Sequence, residues 1–183
     1  MKFEVKIIKL PNKILRQKSL DVLLPLSNED DLLAKKMIYH VIDSTKENSI
    51  FRPAVGVAAV QYGVLKRMFF VHILDQEDNI IFSDVIINPQ IIAKSEGLAA
   101  LKQGEGCLSV KESDSNQEGY IRRSERIVVD AYSYNEKKLK RFDCKQFVAI
   151  VFQHELDHLE GKLFIDHIDT KNIWTKNKDL TIL

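Results

Sequence analysis

The stretch with the most chemical content is His154-Glu155-Leu156-Asp157-His158, an H-E-x-x-H pattern. On a helix one turn separates the two imidazoles, so both can reach one ion from the same face. Glu155 stands about 100° round from His154, close enough to hold a water beside the ion without ligating it. Hydrolysis by an activated water is the chemistry such a trio performs. The same spacing also arises by accident on surface helices. Here, however, Phe147, Ile150, Val151, His154 and His158 fall at i, i+3, i+4, i+7 and i+11, a single stripe that is apolar apart from the histidines. Imidazoles on a buried stripe need partners, which favours a metal site.

A catalytic ion of this kind takes a third protein ligand and keeps one position open. The metzincin pattern would put a histidine six residues past His158, beyond Gly161, but that position is Phe164. A thermolysin-like glutamate further on is also missing, since no glutamate follows Glu160. Cys144 reads as part of the same helix, ten residues from His154 and hence about 15 Å away at 1.5 Å per residue. The best-placed thiol is Cys107, in Gln103-Gly104-Glu105-Gly106-Cys107-Leu108-Ser109, where glycines flank Glu105 and permit close backbone approach. A small buried hydrophobe beside a turn is the other reading of Cys107. Carboxylates such as Asp166 stay open as ligands, as does His167 in a metallopeptidase of another lineage. A closed structural zinc site fits less well, because it wants four protein ligands and gives Glu155 no task.

The elements that must position these residues follow from periodicity. Pro11-Asn12 signals an early turn. Asn28-Glu29-Asp30-Asp31 then precedes a segment in which Leu33, Met37, His40, Val41 and Ser44 recur at three- and four-residue spacing. This predicts an amphipathic helix over about 29–46, with acidic residues at its positive end. Between 51 and 133 short β-branched and aromatic runs appear, RMFFVHIL, NIIFSDVIINP and RIVVDAYSY. They are broken by residues 75–79, by Asn88-Pro89 and by the polar stretch 111–119, which predicts several mostly antiparallel strands. Asp143 followed by Gln146 looks like a capping box, placing the last helix start near 143, and Gly161 is a plausible stop. The expected fold is α+β: short, mostly antiparallel strands packed around a buried C-terminal H-E-x-x-H helix, with an N-terminal helix. One domain over 1–183 is long enough for a substantial core.

Bulk composition narrows the function classes. With 45% hydrophobic and 29% charged residues the chain is ordinary globular material. Its 27 basic and 26 acidic side chains leave a net charge of +1, which argues against direct DNA binding through a whole-protein field. No apolar run approaches the length of a membrane span. The opening MKFEVKIIKLPNK lacks the apolar core of a secretory signal, and two cysteines make no disulfide framework. A cytoplasmic protein with reduced thiols is expected.

Three segments occur in order: Ala54-Val55-Gly56-Val57-Ala58-Ala59-Val60-Gln61, Glu105-Gly106-Cys107-Leu108-Ser109, and Gln153-His154-Glu155-Leu156-Asp157-His158. Together they resemble the three signature motifs of the peptide deformylases. The likeness extends to the Leu15-Arg16 start, the helix of about 29–46 and the arginine-containing segment before the last strands. The spacer around Phe51-Arg52-Pro53 and the 110–119 insertion are similar to the longer-loop class of that family. Two positions depart from the family's first motif, with Ala54 in place of a glycine and Val60 in place of a proline. Altered loop detail with retained activity is expected from these changes.

The resemblance implies a hydrolase that removes the formyl group from the initiator methionine of new polypeptides, releasing formate. It assigns the ion to Cys107, His154 and His158, with Fe²⁺ natively and Ni²⁺, Co²⁺ or Zn²⁺ as substitutes. A thiolate donor suits those metals better than Mg²⁺ or Ca²⁺. Glu155 would shuttle the proton, while the Gln61 amide and the Leu108 backbone N–H would face the developing oxyanion. Substrate would lie against Val55, Gly56, Val57, Glu105, Gly106, Phe147, Ile150 and Val151. The peptide would add as a strand near 54–57. Arg123 is either a contact for the far end of the peptide or a solvated surface arginine. The expected partners are N-formylmethionyl nascent peptides, with a transient ribosome contact through Lys171, Lys176 and Lys178 as a further possibility beside a plain solvated end.

Overall fold

The structure is a computed structural model that describes residues 2–111, 117–176 and 178–183. The polar stretch 111–119 therefore falls partly outside the described residues. A 3-10 turn at Lys13–Arg16 is followed by α1 (Asn28–Ser44), then β1 (Gly56–Ala58) and a second 3-10 turn at Ala59–Tyr62. The strands β2 (Met68–Leu74), β3 (Ile80–Lys94), β4 (Leu98–Ala100), β5 (Arg123–Ser124), β6 (Arg126–Ser133) and β7 (Lys138–Lys145) follow. They lead into α2 (Gln146–Leu159), a 3-10 turn at Phe164–His167 and β8 (Leu180–Ile182).

Five strands form one sheet in the order β1-β2-β3-β6-β7, with antiparallel pairing throughout. A second sheet has the order β5-β4-β8, and its β4–β8 pair is parallel. The expected α+β class and the mostly antiparallel strands are what the structure has. The helix α2 lies buried against the large sheet, where Phe152 packs edge-on to Phe69 of β2 and Phe82 of β3 at 5.3 and 5.1 Å. Phe142 of β7 closes the same cluster at 6.2 Å. Aromatic packing over three strands fixes the helix that carries the two histidines.

Helix α1 forms where its periodicity places it. Ser27 caps it, accepting from the Asp30 N–H at 3.1 Å, and Met37, His40, Val41 and Ser44 are buried as one stripe. Two boundaries differ from expectation. Residues 143–145 end β7 rather than begin a helix: Cys144 pairs with Ile127 and Asp143 ion-pairs with Arg126 at 2.7 Å. The helix starts at Gln146, whose N-cap Lys145 makes no side-chain cap bond. The edge strand wins over local cap chemistry because pairing with β6 runs unbroken from Lys138 to Lys145 and satisfies the backbone groups that face β6. Cys144 is thus a buried strand residue, and the helical distance argument that set it aside from the metal does not apply. Asn88-Pro89 likewise does not end a strand. The register of β3 slips there, between Ile87 and Gln90, and Asn88 takes a left-handed φ of 52°, so the strand absorbs the proline in a bulge.

Candidate active site

The three motif segments meet at one end of α2. The short strand β1 puts Gly56 beside the Glu155 side chain, and the turn that follows folds Gln61 back onto the end of β1. The Gln61 side-chain oxygen accepts the Ala58 N–H at 2.9 Å, which leaves its amide nitrogen pointing at Ser109 Oγ (3.1 Å) and Cys107 Sγ (3.6 Å). Ser109 in turn gives its hydroxyl proton to the Ile8 carbonyl at 2.7 Å and its backbone N–H to Cys107 Sγ at 3.4 Å. The thiol is therefore held by a tight turn of its own segment.

Cys107, His154 and His158 bring one donor atom each to within 4.8 Å of one another, the only cluster of metal-ligating type among the described residues. Cys107 Sγ lies 3.3 Å from His158 Nε2. His154 binds Glu105 Oε2 through Nδ1 at 2.8 Å, which directs its Nε2 toward the other two donors. Burial disfavours a thiolate at Cys107, but the adjoining His158 and His154 imidazoles hold the thiol well below its usual range. Burial alone would also discharge His154; contact with Cys107 and Glu105 pushes it well above its ordinary value instead. Two imidazoles and a low-pKa thiol suit a borderline-soft divalent ion, and a carboxylate oxygen with no partner, Glu155 Oε2, sits buried beside them.

Glu155 is 3% exposed, and burial raises its carboxyl to about 7 against the pull of His154 and His158. A methyl group built on Gly56 would stand 2.5 Å from Glu155 Oε1, so only glycine leaves that carboxylate its place.

A cavity of about 460 Å³ opens onto this cluster. Its walls include Val55, Gly56, Gln61, Glu105, Gly106, Cys107, Leu108, Phe147, Ile150, Val151, His154 and Glu155, so nearly all of the expected site residues converge. Its size is that of a small-ligand pocket and its walls are mainly apolar. Two expected residues are not in the walls: His158 is buried behind them with Cys107 and His154, and Val57 lies apart. Strand alternation turns Val57 away from Gly56's side, and it is fully buried in the main core. Asp166 and His167 are engaged elsewhere, with Arg16 at 2.5 Å and Asp157 at 2.8 Å. Ala54 and Val60, the two departures, leave the Gln61 contacts intact.

Arg123 corrects the sequence expectation of a surface or peptide contact. It is 4% exposed and grips Glu105 with Nε (2.5 Å) and Nη2 (2.9 Å), while Nη1 reaches Asp157 at 2.9 Å. Burial of Glu105 opposes its charge, yet bonds from His154 and Arg123 bring its carboxyl down to about 2. Its partners lie 18 and 34 residues away, so no local pattern marked it. Arg52, Thr45 and Leu101 also line the cavity without having been singled out; Arg52 Nη1 donates to the Cys107 carbonyl at 3.2 Å.

A buried thiol and two imidazoles, with a carboxylate beside them at the end of an apolar pocket, are the parts from which metal-dependent hydrolases are built. The model of the polypeptide deformylase family matches residues 4–174, and the chain belongs to that family of hydrolases. It is 52% identical to the peptide deformylase of Mycoplasmopsis pulmonis, with 96% of each chain covered. Among solved structures it is similar to a probable peptide deformylase from Synechococcus phage S-SSM7, at 32% identity and a TM-score of 0.72, covering 90% of this chain and all of that one. It is also similar to a class I type b peptide deformylase from Acinetobacter baumannii solved with Met-Ala-Ser bound. That pair is 26% identical with a TM-score of 0.75, covering 92% of this chain and all of the other.

Proposed function

We propose that this chain hydrolyses the formamide of N-formylmethionyl peptides, releasing formate from newly made polypeptides in the cytoplasm. The observation that carries the reading is the convergence of Cys107, His154 and His158 with Glu155 and Gln61 at the end of one apolar cavity. The product-like tripeptide Met-Ala-Ser on the Acinetobacter relative supports the same substrate class. Among the described residues no helix is long and apolar enough to cross a membrane.

Cys107, His154 and His158 would hold one divalent ion, Fe²⁺ in the native enzyme, with Ni²⁺, Co²⁺ or Zn²⁺ able to replace it. When bound, such an ion supplies Lewis acidity to the carbonyl and to water. Glu155 takes the proton from the attacking water and returns it to the departing amine, so its carboxylate must stay in place through both transfers. The Gln61 amide, held by Ala58 N–H and Ser109 beside Cys107, and the Leu108 backbone N–H are the donors for the oxyanion. Val55, Phe147, Ile150 and Val151 receive the unbranched methionine side chain. The peptide backbone pairs with β1, which stands at the edge of the five-stranded sheet; main-chain pairing tolerates any following sequence. A formyl carbon carries only hydrogen, so close packing around it excludes acetyl.

The test is formate release from formyl-Met-Ala-Ser by anaerobically purified, Fe²⁺-loaded protein, beside its Glu155→Ala variant. The variant should keep one ion per chain and lose turnover by about 10²–10⁴-fold. Full activity in the variant would remove Glu155 from the mechanism.

A further inference from the structure

Behind the candidate ligand His154 runs a chain of charge-assisted contacts that ends at the surface. His154 Nδ1 meets Glu105 Oε2 at 2.8 Å, and Glu105 is clasped by the Arg123 fork. Arg123 Nη1 reaches Asp157 Oδ2 at 2.9 Å, and the same oxygen meets His167 Nε2 at 2.8 Å. Side-chain exposure rises along this path from 4% at Glu105 and Arg123 to 18% at Asp157 and 37% at His167. Only the last member can be altered without opening the interior.

His167 is not held there by chance. It ends the 3-10 turn Phe164–His167, whose first residue lies over the His154 ring at 6.0 Å and 21°. Asp166 anchors that turn, accepting from the Leu163 N–H at 2.9 Å and from Arg16 at 2.5 Å. One short turn thus contacts His154 twice, through the Phe164 ring and through the four-member chain starting at His167. An Asp157 carboxylate left with Arg123 alone would be free to swing toward solvent. The Arg123 fork would then lose one of its two fixed carboxylates, and the angle at which Glu105 orients the His154 ring would loosen.

The geometry points to His167 as a positioning residue for the metal centre: by fixing Asp157 it locks Arg123 onto Glu105 and so sets the orientation of His154. The inference rests on the proposed ligand set, and the measurement separates the two. Co²⁺ is titrated into metal-free wild type, His167→Ala and His167→Gln, with the visible d–d spectrum, the Co²⁺ dissociation constant, Tm and deformylation kinetics recorded for each. Wild type should bind one Co²⁺ per chain. His167→Ala should weaken Co²⁺ binding by about 3–10-fold, less than the 10–100-fold of a partner bonded directly to a ligand. It should also shift the d–d bands and lower kcat at constant KM, with Tm unchanged. Glutamine places an amide N–H near the His167 Nε2 position and should restore both spectrum and affinity. An unaltered spectrum and affinity in His167→Ala would overturn the positioning role. Equal losses in alanine and glutamine would also overturn it, because the hydrogen bond would not be the cause. Failure of wild type to bind stoichiometric Co²⁺ would reject the ligand set itself, and the inference with it.

Discussion

At the scale of single residues, the site depends on groups that fix other groups. Gln61 reaches the thiol only because Ala58 and Ser109 hold its two ends, and His154 presents Nε2 because Glu105 occupies Nδ1. Gly56 belongs with them, since the Glu155 carboxylate fills the space that a side chain would need. The Gly56→Ala variant should keep its fold, because Glu155 can move its flexible end away from the new methyl. That movement displaces the candidate base by an ångström or so, and kcat should fall about 10²-fold, with Tm near wild type and metal content unchanged. Steady-state kinetics beside a melting curve checks this; unchanged kcat would mean the carboxylate position is not critical.

At the scale of elements, α2 carries two of the three candidate ligands and the candidate base, and the Phe152 cluster sets where it sits. Phe152 is fully buried, packed on rings from three strands. Phe152→Ala should cost about 3–5 kcal/mol of stability, read from urea unfolding. A loss below about 1 kcal/mol would show that the helix is held by other contacts. The helical stripes of α1 and α2 and the runs of β2 and β6 were legible because burial imposes a period that one sequence displays. The edge strand β7 was not. Its pattern is mostly exposed and charged, KLKRFDCK, and only cross-strand pairing with β6 makes it a strand. The bulge at Asn88 was hidden for a related reason, since Asn-Pro signals a break when no partner strand is in view. The site divides the same way. The H-E-x-x-H pair was readable from local spacing. Cys107 was one ligand candidate among several until three motifs were taken together, and Gln61 emerged only from those motifs. The buried place of Arg123 was not legible, because both its partners are distant in sequence.

At the scale of the whole molecule, a buried histidine away from the metal cluster links stability to pH. His40 on α1 is 2% exposed, bonded to the Tyr62 hydroxyl at 2.8 Å and edge-on to Phe51 at 4.8 Å. Burial, with the nearby Lys36 charge adding to it and Asp43 opposing, pulls its pKa down from 6.5 to about 4. The folded state therefore binds fewer protons than the unfolded chain between these values. The contribution is full above pH 6.5 and is lost as pH falls toward 4, by up to about 3 kcal/mol. Urea unfolding of His40→Gln should show a shallower fall in stability over that window than wild type, and parallel curves would contradict the assignment. The central claim concerns the bond that is cut, and the most direct measurement compares formyl-Met-Ala-Ser with acetyl-Met-Ala-Ser on the Fe²⁺-loaded protein without oxygen. Formate release from the first, with no detectable acetate from the second, is the predicted result. Equal rates on both substrates, or cleavage between residues instead, would contradict it.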